Sequence, residues 1–252
     1  MDLMTGLAII CLLMVAVAFS PLGLGGGILY VPIMHYMLDW EIKEAIVASL
    51  TLVLMVSLGS SLAHSKSGHA DQRVAKWGRI AAVPSATIGV LLSGVLLSFV
   101  GDIGIKILAA LVITFVLERT IRKSVAHTVE YTEEQLLEKR NQYLAGSSSA
   151  GIAAGILGIG GGAILVTLNR SMLKMDAKKA AGTSYLVTAT IVPVALLSHL
   201  VINQNLDVIV DNSGIFAIVL VPLMVFSSAF LGAKYAIKYL SLIHISEPTR
   251  HR

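Results

Sequence analysis

Two runs of the chain combine residue types and spacing that could hold a ligand. Leu22–Val31 reads L-G-L-G-G-G-I-L-Y-V and Leu157–Val166 reads L-G-I-G-G-G-A-I-L-V, at a constant offset of 135 residues. Each sets three glycines side by side in an apolar segment, at a helix penalty of about 1 kcal/mol per glycine relative to Ala. Irregular backbone at membrane depth is tolerated only where it lines a cavity or is buried in protein. A helix that restarts after such a break points unpaired N–H groups and the positive end of its dipole forward, which suits an anion. On this reading Gly25, Gly26 and Gly27, with Gly160, Gly161 and Gly162, form the backbone of a substrate site. Ile28 and Ala163 open the limbs that follow, and Ser49 and Ser184, with Thr51 and Thr183 nearby, add hydroxyl donors from the next helix. Glycines that serve only close helix packing are the competing reading.

His64 and His199 stand at the same offset, near the ends of apolar runs. A histidine there can titrate near neutral pH and serve as proton carrier, anion ligand or gate. The competing reading is a pair of interfacial histidines bonded to loop backbone. Lys43 and Lys178 read as helix-end anchors, and no acidic or basic side chain falls deep in a span, so a carboxylate relay is not evident. The usual enzyme motifs are missing: no G-K-[ST] follows the glycines, no strand precedes them, and there is no H-E-x-x-H or C-x-x-C spacing. The expectation is a protein that is no enzyme, with no metal and no cofactor. Cys11 has no partner in the chain and reads as inert packing.

The elements that would position these residues follow from composition. The 252 residues are 56% hydrophobic and 13% charged, where a soluble domain carries about 25% charged residues. The apolar residues fall in long runs, the mark of an all-α, polytopic transmembrane bundle. A net charge of +4 is read loop by loop for orientation and not as a nucleic-acid signal. Leu3–Phe19 lacks the basic start and cleavage site of a secretory signal and is kept as a mature segment. It joins Leu24–Leu38 at Pro21–Gly27. Spans follow at Ala45–Ala63, Ile80–Val100 and, after a tight turn at Gly101–Asp102, Ile103–Leu117. The polar stretch Glu118–Tyr143 contains T-E-E-Q at Thr132–Gln135, a capping box for a short surface helix. Leu144–Leu168 repeats the opening pattern, with Gly151 and Gly155 as a close-contact pair. Further spans are Ala180–Ile202 and Gly214–Leu231, with Asn203–Ser213 as an acidic loop.

From Leu22 to His64, about a dozen of 43 positions are identical at the 135-residue offset, among them Lys43/Lys178, Ala45/Ala180, Ser49/Ser184 and His64/His199. Apolar bias does not produce matched glycines, lysines and histidines, so the chain reads as a duplication. Its expected organisation is a first repeat at 1–118, a cytoplasmic linker at 119–143, a second repeat at 144–240 and a tail at 241–252. The tail resembles a translated sequencing adapter, and the second repeat is expected to lack its last helix. Loop charges choose the topology. If each glycine cluster is the tip of a hairpin, the halves are inverted. The basic loops His64–Arg79, Glu118–Tyr143 and Arg170–Lys179 then fall inside, and the acidic loops at Asp39–Glu44 and Asn203–Ser213 fall outside. Short glycine-interrupted segments in corresponding places of two inverted halves are the signature of a transporter's central site.

The stretch P-L-G-L-G-G-G-I-L-Y-V-P, then A-x-x-A-S-L-T (Ala45–Thr51), then A-H-x-x-x-G-H-A-D (Ala63–Asp71), resembles the sulfite exporter TauE/SafE family. The second-half G-I-G-G-G and A-G-T-S (Ala181–Ser184) fit the same pattern, and the likeness covers nearly all of Leu3–Tyr239. The resemblance implies a multi-pass transporter of the bacterial inner membrane that moves sulfur-containing anions such as sulfite, thiosulfate or organosulfonates, mostly outward. Its partners would be the small anion and the lipid bilayer, with no nucleic acid and with homo-oligomerisation left open. A passive anion channel and a non-transporting membrane scaffold are the alternatives.

Overall fold

The computed structural model describes residues 3–123, 131–203 and 206–246. Among the described residues all regular structure is helical. In chain order the helices are α1 (Leu3–Phe19), α2 (Gly27–Met37), α3 (Ile42–Lys66), α4 (Gln72–Lys123), α5 (Glu133–Glu138), α6 (Arg140–Leu157), α7 (Gly162–Ser171), α8 (Ala177–Asn203), α9 (Leu206–Ser213) and α10 (Ile215–Ser246). Among the described residues four stretches are long and apolar enough to cross a bilayer: Ile42–Lys66, Gln72–Gly101, Ala177–Ile202 and Ala217–Lys238. They make the chain a multi-pass membrane protein. Large apolar side chains such as Ile80, Ile88, Leu91, Phe99, Leu220 and Leu223 stand exposed on the outside of α4 and α10. Water would penalise such a band, whereas lipid accommodates it.

Helix ends follow backbone chemistry. α4 breaks at Gly101, whose φ of 64° and ψ of −171° end one limb and start the next. The run after α1 has positive φ at Gly23, Gly25 and Gly26, and the run after α6 has it at Gly158, Gly160 and Gly161. A side chain in that region is strained, so glycine is the residue that fits. Beyond α2 and α7, Asp39 and Lys174 take positive φ, again 135 residues apart. α2 and α7 have 11 and 10 residues, or about 15–17 Å of helix, roughly half of a ~30 Å hydrocarbon core. Both are shorter than the limbs of 14–17 residues that the apolar runs imply.

The interior is knit by exchanges between distant parts of the chain. α3 packs against α8 and α10, α4 against α6 and α8, and α1 against α10. Exchanging the segment before residue 119 with the one after 143 maps these pairs onto one another. The α4–α6 crossing is close because glycine lies on both sides: a Cβ at Gly151 or Gly155 would run into the carbonyl oxygens of Ala82 and Ala86, and one at Gly89 into that of Ile152. The core holds Tyr30, Leu50, Val53, Val56, Leu165, Tyr185 and Ile191, all sealed from the surface.

Three boundaries differ from the sequence reading. The surface helix ends at Glu138, and α6 starts at Arg140 instead of Leu144, since nothing in R-N-Q-Y breaks a helix. The capping box is present, with the Thr132 N–H donating to Gln135 Oε1 at 3.1 Å. Most of the expected loop Asn203–Ser213 is α9, on which Ile209 is buried. α10 continues through Ser246, past the expected junction at residue 240. Residues 124–130 of the expected linker and 247–252 of the expected tail lie outside the described residues.

Candidate functional site

The two glycine runs meet in the middle of the bundle. Gly27 opens α2 against the backbone of Ile159: a Cβ there would lie 2.7 Å from the Ile159 Cα and from its carbonyl oxygen. Gly162 opens α7 against the first run, with the Gly23 oxygen 3.0 Å from where its Cβ would be. Each run also lies on the neighbouring half of the chain. A Cβ at Gly23 would be 2.8 Å from Ala181 Cα on α8, and one at Gly158 would be 3.0 Å from Ile46 Cα on α3. Val53 of α3 sits at the junction, touching the Cβ positions of both Gly25 and Gly160.

Hydrogen bonds fasten this crossing in the same exchanged sense. Ser49 Oγ on α3 donates to the Gly158 carbonyl at 2.9 Å. Ser184 Oγ on α8 has two acceptors, the Gly162 carbonyl at 2.9 Å and the Gly23 carbonyl at 3.3 Å. Both serines are fully buried. Their hydroxyl hydrogens therefore hold the loops and are not aimed at a cavity. The carbonyls of Gly26 and Gly161 accept the first bonds of α2 and α7, from Tyr30 N–H at 3.1 Å and from Leu165 N–H at 3.0 Å. The leading N–H groups of both short helices, those of Gly27, Ile28, Gly162 and Ala163, have no intrahelical acceptor. Two positive helix ends thus converge on one region, with Ile28 and Ala163 buried beside them.

Not every expected site residue gathers there. The Thr183 hydroxyl accepts the Asp71 N–H at 2.9 Å. It belongs to a clamp that joins the start of α4 to α8, in which Arg79 donates twice to the Leu186 carbonyl, at 3.1 and 2.9 Å. Thr51 bonds back to its own helix at the Val47 carbonyl, 3.1 Å away. Its side chain lines a cavity of about 420 Å³ bounded also by Leu12, Met34, Asp39, Trp40 and Pro222. The histidines are buried, His64 completely and His199 to 2% exposure. His199 Nε2 lies 2.7 Å from the Gly155 carbonyl, one of the acceptors that α6 leaves open at its C-terminus. Neither ring nitrogen of His64 has a hydrogen-bond partner.

Three side chains at the first run escaped the sequence reading. The Tyr30 ring folds back over Gly26, where a Cβ would lie 2.7 Å from the ring. Tyr185 Oη donates to the Phe19 carbonyl at 2.8 Å and lies 3.4 Å from the Gly25 nitrogen. Ser60 is buried on α3, one turn before His64. A search for matched positions passes over them, because their counterparts are Leu165, Leu50 and Ala195. The usable signal is the opposite one, a polar residue with an apolar residue 135 positions away.

The family model described as sulfite exporter TauE/SafE matches residues 8–243, and the chain belongs to that family. A protein of Methanocaldococcus jannaschii described as a probable membrane transporter is 26% identical over 214 residues, covering 81% of this chain and 75% of the relative. No solved structure matches the chain.

Proposed function

We propose that this TauE/SafE-family protein is a secondary transporter that carries a small sulfur-containing anion, such as sulfite, thiosulfate or an organosulfonate, outward across a bacterial inner membrane. The observation that carries the reading is the meeting of the two glycine runs, each starting a helix too short to cross and each fastened to the opposite half. A pyramidal or tetrahedral oxyanion presents several acceptor oxygens in a small volume, which suits converging backbone N–H groups. Transport proceeds by alternating access, one half rocking against the other around the glycine runs. The halves are residues 1–118 and 144–240 in inverted orientation, joined by a cytoplasmic linker at 119–143. This arrangement is supported by the exchanged helix pairs, by the positive-φ positions recurring at the same offset, and by the basic loops all falling on one side.

The test is efflux of radiolabelled sulfite from proteoliposomes. Saturable flux that responds to an imposed proton gradient supports the transporter. An ohmic anion current in its place identifies a passive channel, and wild-type liposomes no leakier than empty ones identify a scaffold.

A further inference from the structure

Buried hydrogen-bonding groups in a folded protein almost always have partners. Around the first glycine run that rule fails four times in one place. Tyr30 Oη, Ser60 Oγ and both ring nitrogens of His64 are sealed from the surface with no hydrogen-bond partner. Tyr185 links them: its hydroxyl lies 3.4 Å from the Gly25 nitrogen, Ser60 is beside that hydroxyl, and the His64 ring centroid is 6.0 Å from its own. Tyr30 lies against Gly26, the next residue of the same run. The counterpart positions around the second run are Leu165 for Tyr30, Ala195 for Ser60 and Leu50 for Tyr185, and the remaining counterpart, His199, is already bonded to Gly155.

We propose that Tyr30, Ser60 and His64 are ligand-contacting donors for a sulfur oxyanion, held on the first glycine run only, with Tyr185 as the positioning residue. This inference rests on the transporter reading and assigns its contacts. The two hydroxyls and the protonated nitrogen of His64 each supply an N–H or O–H, and the start of α2 supplies backbone N–H groups beside them. Tyr185 donates its own hydrogen to Phe19 and so serves to fix the loop. The duplicated backbone thereby becomes an asymmetric site: both runs supply the break, and one supplies the side chains.

The experiment is equilibrium binding of radiolabelled sulfite to the protein in lipid nanodiscs, with thermal melting of the same samples. Tyr30→Phe removes a hydroxyl that bonds to nothing in the protein and should melt at or above the wild-type temperature, and Ser60→Ala, which removes a hydroxyl beside that of Tyr185, should melt close to it. Each should bind sulfite at least about tenfold more weakly, the size expected for one hydrogen bond to a charged oxygen. Tyr143→Phe is the control, a phenol equally buried and unpartnered on α6, and should bind as wild type. If wild type binds sulfite and Tyr30→Phe and Ser60→Ala bind it equally well, the one-sided site is overturned and the transporter reading stands. An equal loss in Tyr143→Phe overturns it too. If wild type binds neither sulfite nor thiosulfate, the substrate reading itself fails and takes this inference with it.

Discussion

The two glycine runs share a backbone and differ in almost everything attached to it. Positive φ falls at Gly23, Gly25 and Gly26 in one and at Gly158, Gly160 and Gly161 in the other. Each is held by a serine of the opposite half. Yet the first run is covered by two phenols, a serine and an unpaired histidine, while the counterpart positions of the second hold Leu165, Leu50, Ala195 and a histidine, His199, that is bonded to Gly155. The break in the helix is a geometric need common to both halves, and glycine satisfies it twice. Chemistry at the break is a separate requirement, and one half meeting it is enough.

The sharpest way to break the comparison is to crowd the place where the runs touch. A methyl at Gly27 would lie 2.7 Å from two backbone atoms of Ile159, which cannot rotate away, whereas one at Gly162 would meet the Gly23 oxygen at 3.0 Å. Gly27→Ala should therefore cost about 1–3 kcal/mol of stability, an ordinary overpacking penalty. Gly162→Ala should cost visibly less. Thermal melting in detergent reads both, and equal melting temperatures would mean that the runs do not meet as described.

How much of this was legible in the sequence depends on the kind of information involved. The interruptions between α1 and α2 and between α6 and α7 were legible because triple glycine has few other uses in an apolar run. The close α4–α6 crossing was announced by Gly151 and Gly155, and the Thr132–Gln135 cap by its spacing. Thr183 and Ser184 are adjacent in sequence, yet one caps the Asp71 loop and the other reaches the glycine run. That division depends on helix rotation, which an apolar helix with small residues all round does not specify. Tyr30, Ser60 and Tyr185 were hidden for a different reason: the repeat drew attention to what matches, and these do not match.

The histidines offer the next contrast. His199 satisfies the open Gly155 carbonyl at 2.7 Å, and the ring nitrogens of His64 make no bond of that kind. His199→Leu strands an acceptor at the buried end of α6 and should lose about 1–2 kcal/mol. His64→Leu removes no such short bond and should cost visibly less than His199→Leu. Unfolding in detergent with increasing denaturant measures the pair. A histidine 64 as costly to remove as its counterpart would show it to be a structural residue.

The smallest effects, and the most informative about motion, belong to the serines. Ser49→Ala removes one bond to Gly158, and Ser184→Ala removes a hydroxyl shared between Gly162 and Gly23. Each should cost about 0.6–1 kcal/mol, the usual worth of such a bond inside a membrane bundle. The informative quantity is the double variant. Were the two runs independent, the losses would add. Because the Gly27 face lies on Ile159, loosening either run relaxes the other, so the double variant should fall short of the sum by at least about 0.5 kcal/mol, as residues in one contact network do. A shortfall of that size makes the paired runs one mechanical unit, which rocking of one half against the other requires; strict additivity would leave each half holding its own loop and remove the link that alternating access needs.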